Sequence, residues 1–197
     1  MILLVVLLAS ILVALVRGGQ LGNLAVLNLR WRGVIIAGFL IQVLIFSSAW
    51  GDNDLLKSLT SLGYTLSMLV LLVGLIANYR LPGMSLIAGG FFCNFVAILL
   101  NGGHMPASQA AMQLAGLPLL QPGQTSSNSI GMGPDTVAFF LGDIFAIPKD
   151  FIFPNVFSIG DVFIALGAVV LTQKALVVST PVENPEAIRQ SRRTRRP

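Results

Sequence analysis

Two aspartates stand in matching settings near the end of this 197-residue chain, Gly142-Asp143-Ile144-Phe145 and Gly160-Asp161-Val162-Phe163. They lie 18 positions apart, with Ile147-Pro148-Lys149-Asp150 and Pro154-Asn155 between them reading as a turn that doubles the chain back. Asp161 opens an apolar run, so the spacing predicts that both carboxyls reach the same end of that run. Two carboxyls held together in a low dielectric cannot both ionise cheaply; one keeps a proton and the other is free to deprotonate water. Such a pair is an acid and a base in one place, the machinery of an aspartic peptidase. Gly142 and Gly160 remove side-chain bulk beside each acid and admit close backbone approach. The same positions suit a quieter role. Asp161 would cap the last apolar helix and Asp143 a short helix before it, because free N–H groups and the helix dipole favour a carboxylate there.

Other polar groups are few enough to name. His104, the sole histidine, sits in Asn101-Gly102-Gly103-His104-Met105-Pro106. That stretch reads as a helix stop followed by an interfacial histidine, or as Asn101 and His104 lining the outer pocket with the aspartates to bind a substrate. Asn94 falls inside an apolar run, where an amide bonds a neighbouring helix or positions a substrate. Cys93 lies beside it and reads as a small packing residue that has no cysteine to pair with. One histidine and one cysteine in an apolar run make no metal ligand set, and no nucleotide-binding loop occurs, so no metal or cofactor is expected.

These residues must be positioned by elements suited to an apolar solvent. Hydrophobic residues make up 55% of the chain and charged ones 10%, with mean hydropathy +0.84, against about 25% charged in soluble domains. The expectation is an all-α integral membrane protein with spans at Ile2–Val16, Val34–Ser48, Leu59–Asn78, Gly83–Leu100 and Asp161–Val178. A secretion signal is the alternative for the first run, but no basic residue precedes it and Arg17 follows it. Ten of the twelve basic residues fall on one side of this arrangement, and only Lys57 and Lys149 on the other. The predicted five-helix bundle therefore has its N-terminus outside and its C-terminus cytoplasmic, in a bacterial inner membrane. The transmembrane domain covers 1–178, and 179–197 is a basic, disordered cytoplasmic tail. Its arginines, from Arg189 to Arg196, are expected to meet anionic lipid headgroups rather than nucleic acid.

The segment from about 101 to 160 is too long for a passive connector and is expected to form an outer cap between helices four and five. Within it, His104 to Pro118 reads as a short surface helix and Gln121 to Asp135 as flexible. Residues 18–32 read as a short amphipathic helix ending in the interfacial Arg30-Trp31-Arg32.

Phe157-Ser158-Ile159-Gly160-Asp161 resembles the final motif of lipoprotein signal peptidase, where a Phe-Asn-x-Ala-Asp unit opens the last helix. Leu141-Gly142-Asp143-Ile144-Phe145 is similar to the stretch holding that family's other catalytic aspartate, and Gly89 to Asn94 resembles its Gly-Gly-x-x-Gly-Asn motif. The resemblance implies catalytic roles for Asp143 and Asp161, substrate contacts for Asn94 and Ser158, and a membrane-bound peptide or lipoprotein as substrate. Departures are the serine at 158, Cys93 in place of a glycine, and 48 residues between Asn94 and Asp143. Asn101-Gly102-Gly103-His104-Met105-Pro106 and the paired Gly-Asp segments also resemble a bacterial family of uncharacterised polytopic proteins, a domain of unknown function. Two other readings remain: a non-catalytic membrane subunit or scaffold, and then a small-solute transporter, which would want ionisable groups near mid-membrane.

Overall fold

A computed structural model describes residues 2–25, 27–45 and 54–177, with the side chains of 54–59 left aside. The basic tail lies outside the described residues. The chain is mostly helical. Helices α1 (Ile2–Val16), α3 (Arg32–Ile45), α4 (Asp54–Ile76), α5 (Met84–Leu100) and α7 (Ile159–Val177) fall on the five apolar runs, and α2 (Gly22–Ala25) and α6 (Gln109–Leu114) are short. Among the described residues α7 alone is long and apolar enough to cross a membrane; α1, α3, α5 and the Thr60–Ile76 part of α4 are shorter apolar helices. At 1.5 Å per residue a 14- to 17-residue helix reaches only about 21–26 Å. Large apolar side chains nevertheless face outward along them, among them Leu8 and Leu12 on α1, Phe39 and Val43 on α3, and Leu62 and Leu66 on α4. Exposed apolar faces on this scale are the character of a membrane-associated protein.

The helices pack in the spatial order α1, α7, α5, α4, α3. Small residues make this possible. A Cβ on Gly160 would collide with the Asn94 amide and lie 2.5 Å from the Gly90 carbonyl; one on Gly167 would lie 2.5 Å from the Gly83 carbonyl. Glycines seven residues apart on each helix thus bring antiparallel α5 and α7 backbone to backbone, the small-residue packing that membrane helices use in place of a hydrophobic drive. Gly89 meets nothing within 4 Å and takes no part. At the other end of α7, Gln173 donates to the Ser10 carbonyl at 2.7 Å and accepts from Arg17 at 2.7 Å, and the Gln20 N–H donates to the Leu176 carbonyl at 3.1 Å, so the C-terminal ends of α1 and α7 lie together and α1 runs parallel to α7.

The segment after α5 differs from the all-helical expectation. Strands β1 (Met105–Ala107), β2 (Thr125–Ser126) and β3 (Ser129–Gly131) form a sheet in the order β1-β3-β2, with β1 parallel to β3. Strands β4 (Phe145–Ile147) and β5 (Asn155–Phe157) form an antiparallel hairpin, the predicted doubling-back. Three readings are corrected here. The Gly/Ser-rich stretch taken as flexible forms the β2–β3 hairpin, because β1 supplies a parallel partner from a distant part of the chain. The helix expected from His104 onward begins only at Gln109, where the Ser108 hydroxyl accepts from the Ala111 N–H at 3.5 Å. The amphipathic helix expected over 18–32 shrinks to the single turn of α2, and Trp31 sits in the left-handed region at φ 57°.

Candidate functional site

The helix stop after α5 starts the site. Gly102 and Gly103 take positive φ, and the Gly103 N–H returns to the Ile98 carbonyl at 2.9 Å, turning the chain into β1. On the edge of β1 away from β3, Asp143 completes a bridge to Ala107. Its N–H donates to the Pro106 carbonyl at 2.8 Å, and its carbonyl accepts from the Ser108 N–H at 3.0 Å. Gly142 is needed just before it, since a Cβ there would lie 2.5 Å from the Pro106 carbonyl. A 3-10 turn, Phe139–Leu141, packs against α5 and α7 and leads into Asp143. The expectation that Asp143 might cap a helix is therefore corrected: it sits beside a strand.

Asp161 occupies the first turn of α7. Its N–H donates to the Ser158 hydroxyl at 3.0 Å, and the Ser158 N–H donates to its Oδ2 at 3.0 Å, a reciprocal capping box. Asn94 closes a ring around this box. Its Nδ2 donates to Asp161 Oδ1 at 3.0 Å, while the Ser158 hydroxyl donates to Asn94 Oδ1 at 2.7 Å. Ser158 is fully buried, and each member of the ring has its donor or acceptor matched. Gly160 has no Cβ because the Asn94 amide fills that space.

The Asp143 carboxylate, by contrast, is half-buried and accepts no hydrogen bond among the described residues. Burial first, and the Asp161 charge second, raise its pKa from 3.8 to about 7. The two acids, on separate elements, thus feel one another electrostatically but stand in different surroundings, Asp161 bonded to two donors and Asp143 to none among the described residues.

Of the sequence-predicted site residues, Asn94, Ser158 and Asp161 come together in the ring, and Asp143 is near enough for the Asp161 charge to bear on it. Asn101 and His104 make their bonds elsewhere. Asn101 clamps the segment around Val137 to α5, donating to the Ala97 and Val137 carbonyls at 2.7 and 2.8 Å and accepting from the Val137 N–H at 3.1 Å. His104 Nδ1 lies 3.2 Å from the Gly102 carbonyl. Two residues that sequence reasoning missed belong to the neighbourhood. Tyr64 of α4, buried among Met68, Ala97, Ile98 and Met105, bonds the Asn128 side chain and lies within the field of both aspartates. Nothing in spacing links position 64 to 128; only the β1–β3 pairing brings Asn128 there, with the Met105 N–H donating to its carbonyl at 2.7 Å.

A family model described as a family of unknown function, DUF5317, matches residues 26–173, and the chain belongs to that family. The match takes in α3 to α7 with every residue of the site, and leaves α1 outside. No curated protein and no solved structure matches the chain, lipoprotein signal peptidases included.

Proposed function

As a member of a family without a known activity, the chain has to be read from its side chains, and we propose that Asp143 and Asp161 form an acid–base dyad that hydrolyses an amide bond of a membrane-bound peptide. In this reading the five apolar helices form a bundle in a bacterial inner membrane, N-terminus outside and C-terminus cytoplasmic, and the dyad faces the outer leaflet. The single observation that carries it is the asymmetry of the two acids, Asp161 held as an acceptor by Asn94 and Ser158, Asp143 half-buried with no hydrogen bond to its carboxylate among the described residues and raised to about 7. Below that pH one proton resides on Asp143. In the proposed step Asp161 takes a proton from water as the water oxygen bonds the carbonyl carbon, and Asp143 gives its proton to the carbonyl oxygen. Collapse breaks the C–N bond, the amine leaves with the proton held by Asp161, and Asp143 regains its own.

The test is cleavage of quenched fluorescent peptides carrying an apolar segment and a following small-residue site, by the full chain in nanodiscs between about pH 5 and 8. Cleavage should disappear in both Asp143→Asn and Asp161→Asn and fall above pH 7 in the wild type. Cleavage that survives either substitution, or none by the wild type across the panel, overturns the reading. A non-catalytic subunit or scaffold is favoured by one observation, that both Asp161 oxygens already serve the α7 capping box and Asn94. That reading expects both variants to be silent apart from stability.

A further inference from the structure

At the opposite end of α4 and α5 from the aspartates lies a cavity of about 220 Å³ lined by Asn28, Arg30, Asn78, Tyr79 and Arg80, with no carboxylate in its wall. The backbone that carries Arg30 and the side chain of Arg80 are both held in place, while both guanidiniums stay open to solvent. Asn78 is 3% exposed, and it brackets the Arg30 backbone, accepting from the Arg30 N–H and donating to the Arg30 carbonyl, each at 2.8 Å. A third bond to the Gly74 carbonyl, also 2.8 Å, ties that amide to α4. Arg80 is fixed differently: its Nε donates to the Tyr79 hydroxyl at 3.0 Å and its guanidinium lies 5.5 Å from the Tyr79 ring centroid. That leaves its terminal N–H groups for a ligand. Two guanidiniums, an amide and no counter-charge around one concavity match the forked geometry with which arginine takes phosphate oxygens.

We propose that this cavity binds a phosphate-bearing anion, with Arg30 and Arg80 as charge partners and Asn28 as a hydrogen-bonding wall. The chemistry is shared by a phospholipid headgroup and by free inorganic phosphate. Trp31, 56% exposed beside Arg30, is the residue type that rests at the headgroup level. The site is independent of the aspartates and stands whether or not they catalyse. Native mass spectrometry of the full chain, released from micelles titrated with phosphatidylglycerol, phosphatidylcholine or sodium phosphate, tests it. The expected result is a phosphatidylglycerol adduct at a lipid concentration at least about tenfold below that of phosphatidylcholine. That preference should vanish in R30Q/R80Q and persist in R17Q/R32Q, which removes the same charge outside the cavity. A phosphate adduct formed without lipid and lost in R30Q/R80Q identifies the free anion as the source. Equal adducts of both lipids with no phosphate adduct overturn the site. So does a preference that R30Q/R80Q leaves intact, or one that R17Q/R32Q abolishes equally.

Discussion

Replacing Asp143 by asparagine is expected to make the fold more stable than the wild type at about pH 8, and no more stable near pH 3. Folding moves this carboxyl from the ordinary 3.8 to about 7, through burial first and the Asp161 charge second. An acid whose folded pKa is raised favours the fold when protonated. Wild-type stability is therefore intact below about pH 4, falls as pH rises towards 7, and levels off above it. At about 1.4 kcal/mol per pH unit the full loss is at most about 4 kcal/mol, reduced by whatever water the partly exposed group retains. Asparagine keeps the shape and stays neutral throughout. The difference between the two proteins, read as the midpoint of denaturant unfolding in nanodiscs by far-UV circular dichroism from pH 3 to 8.5, should grow by about 2–4 kcal/mol across that window. Other titrating groups cancel in the difference. In an Asp161→Asn background the same curve should shift to lower pH without reaching 3.8, because burial persists when the charge is gone. A wild-type-minus-variant difference that is flat with pH would refute the reasoning, since Asp143 would then be solvated or paired.

The other predictions concern the frame around the acids. Asn94→Ala leaves the Ser158 hydroxyl without its acceptor and Asp161 Oδ1 without its donor, and should lower stability by about 1–3 kcal/mol in the same unfolding assay. Gly160→Ala drives a methyl into the Asn94 amide and the Gly90 carbonyl, and should cost about 1–3 kcal/mol or more by parting α5 from α7. Gly89→Ala, one position from Gly90 but open on every side, should be neutral or stabilising by up to about 1 kcal/mol. Asn101→Ala removes both bonds to Val137, and hydrogen exchange of the Val137 amide should quicken while exchange in the middle of α5 stays unchanged.

Much of the site was legible because membrane sequences are sparing with polarity. A carboxylate or amide in an apolar run must find a partner, so Asn94 and Asp161 announced themselves, and the Ser158-x-x-Asp161 spacing is a capping box in its own right. Gly160 could be read as permitting a close approach, but what approaches is the Asn94 amide, 66 positions earlier, which spacing cannot supply. Asn101 and His104 read either as a helix stop with an interfacial histidine or as lining the pocket; a helix-stop asparagine has three hydrogen-bonding groups to place, and Val137 and Ala97 take them. The strands were not legible at all. Three-residue strands carry too little periodicity to register, and the Gly/Ser content of 122–131 has the composition of a loop until β1 gives it a partner.

The sequence by itself determined the helices, since runs of apolar residues must satisfy their own backbone wherever water is scarce, and this holds run by run without reference to the rest of the chain. It also determined which polar side chains were available for any chemistry. Tertiary structure alone decided which of them meet. Glycines seven apart on α5 and α7 set the helix separation that lets Asn94 reach Asp161, and the β1 edge sets where Asp143 stops. The raised pKa of Asp143 follows from that placement, because burial and a neighbouring charge are properties of a position in space and are not carried by the residue type.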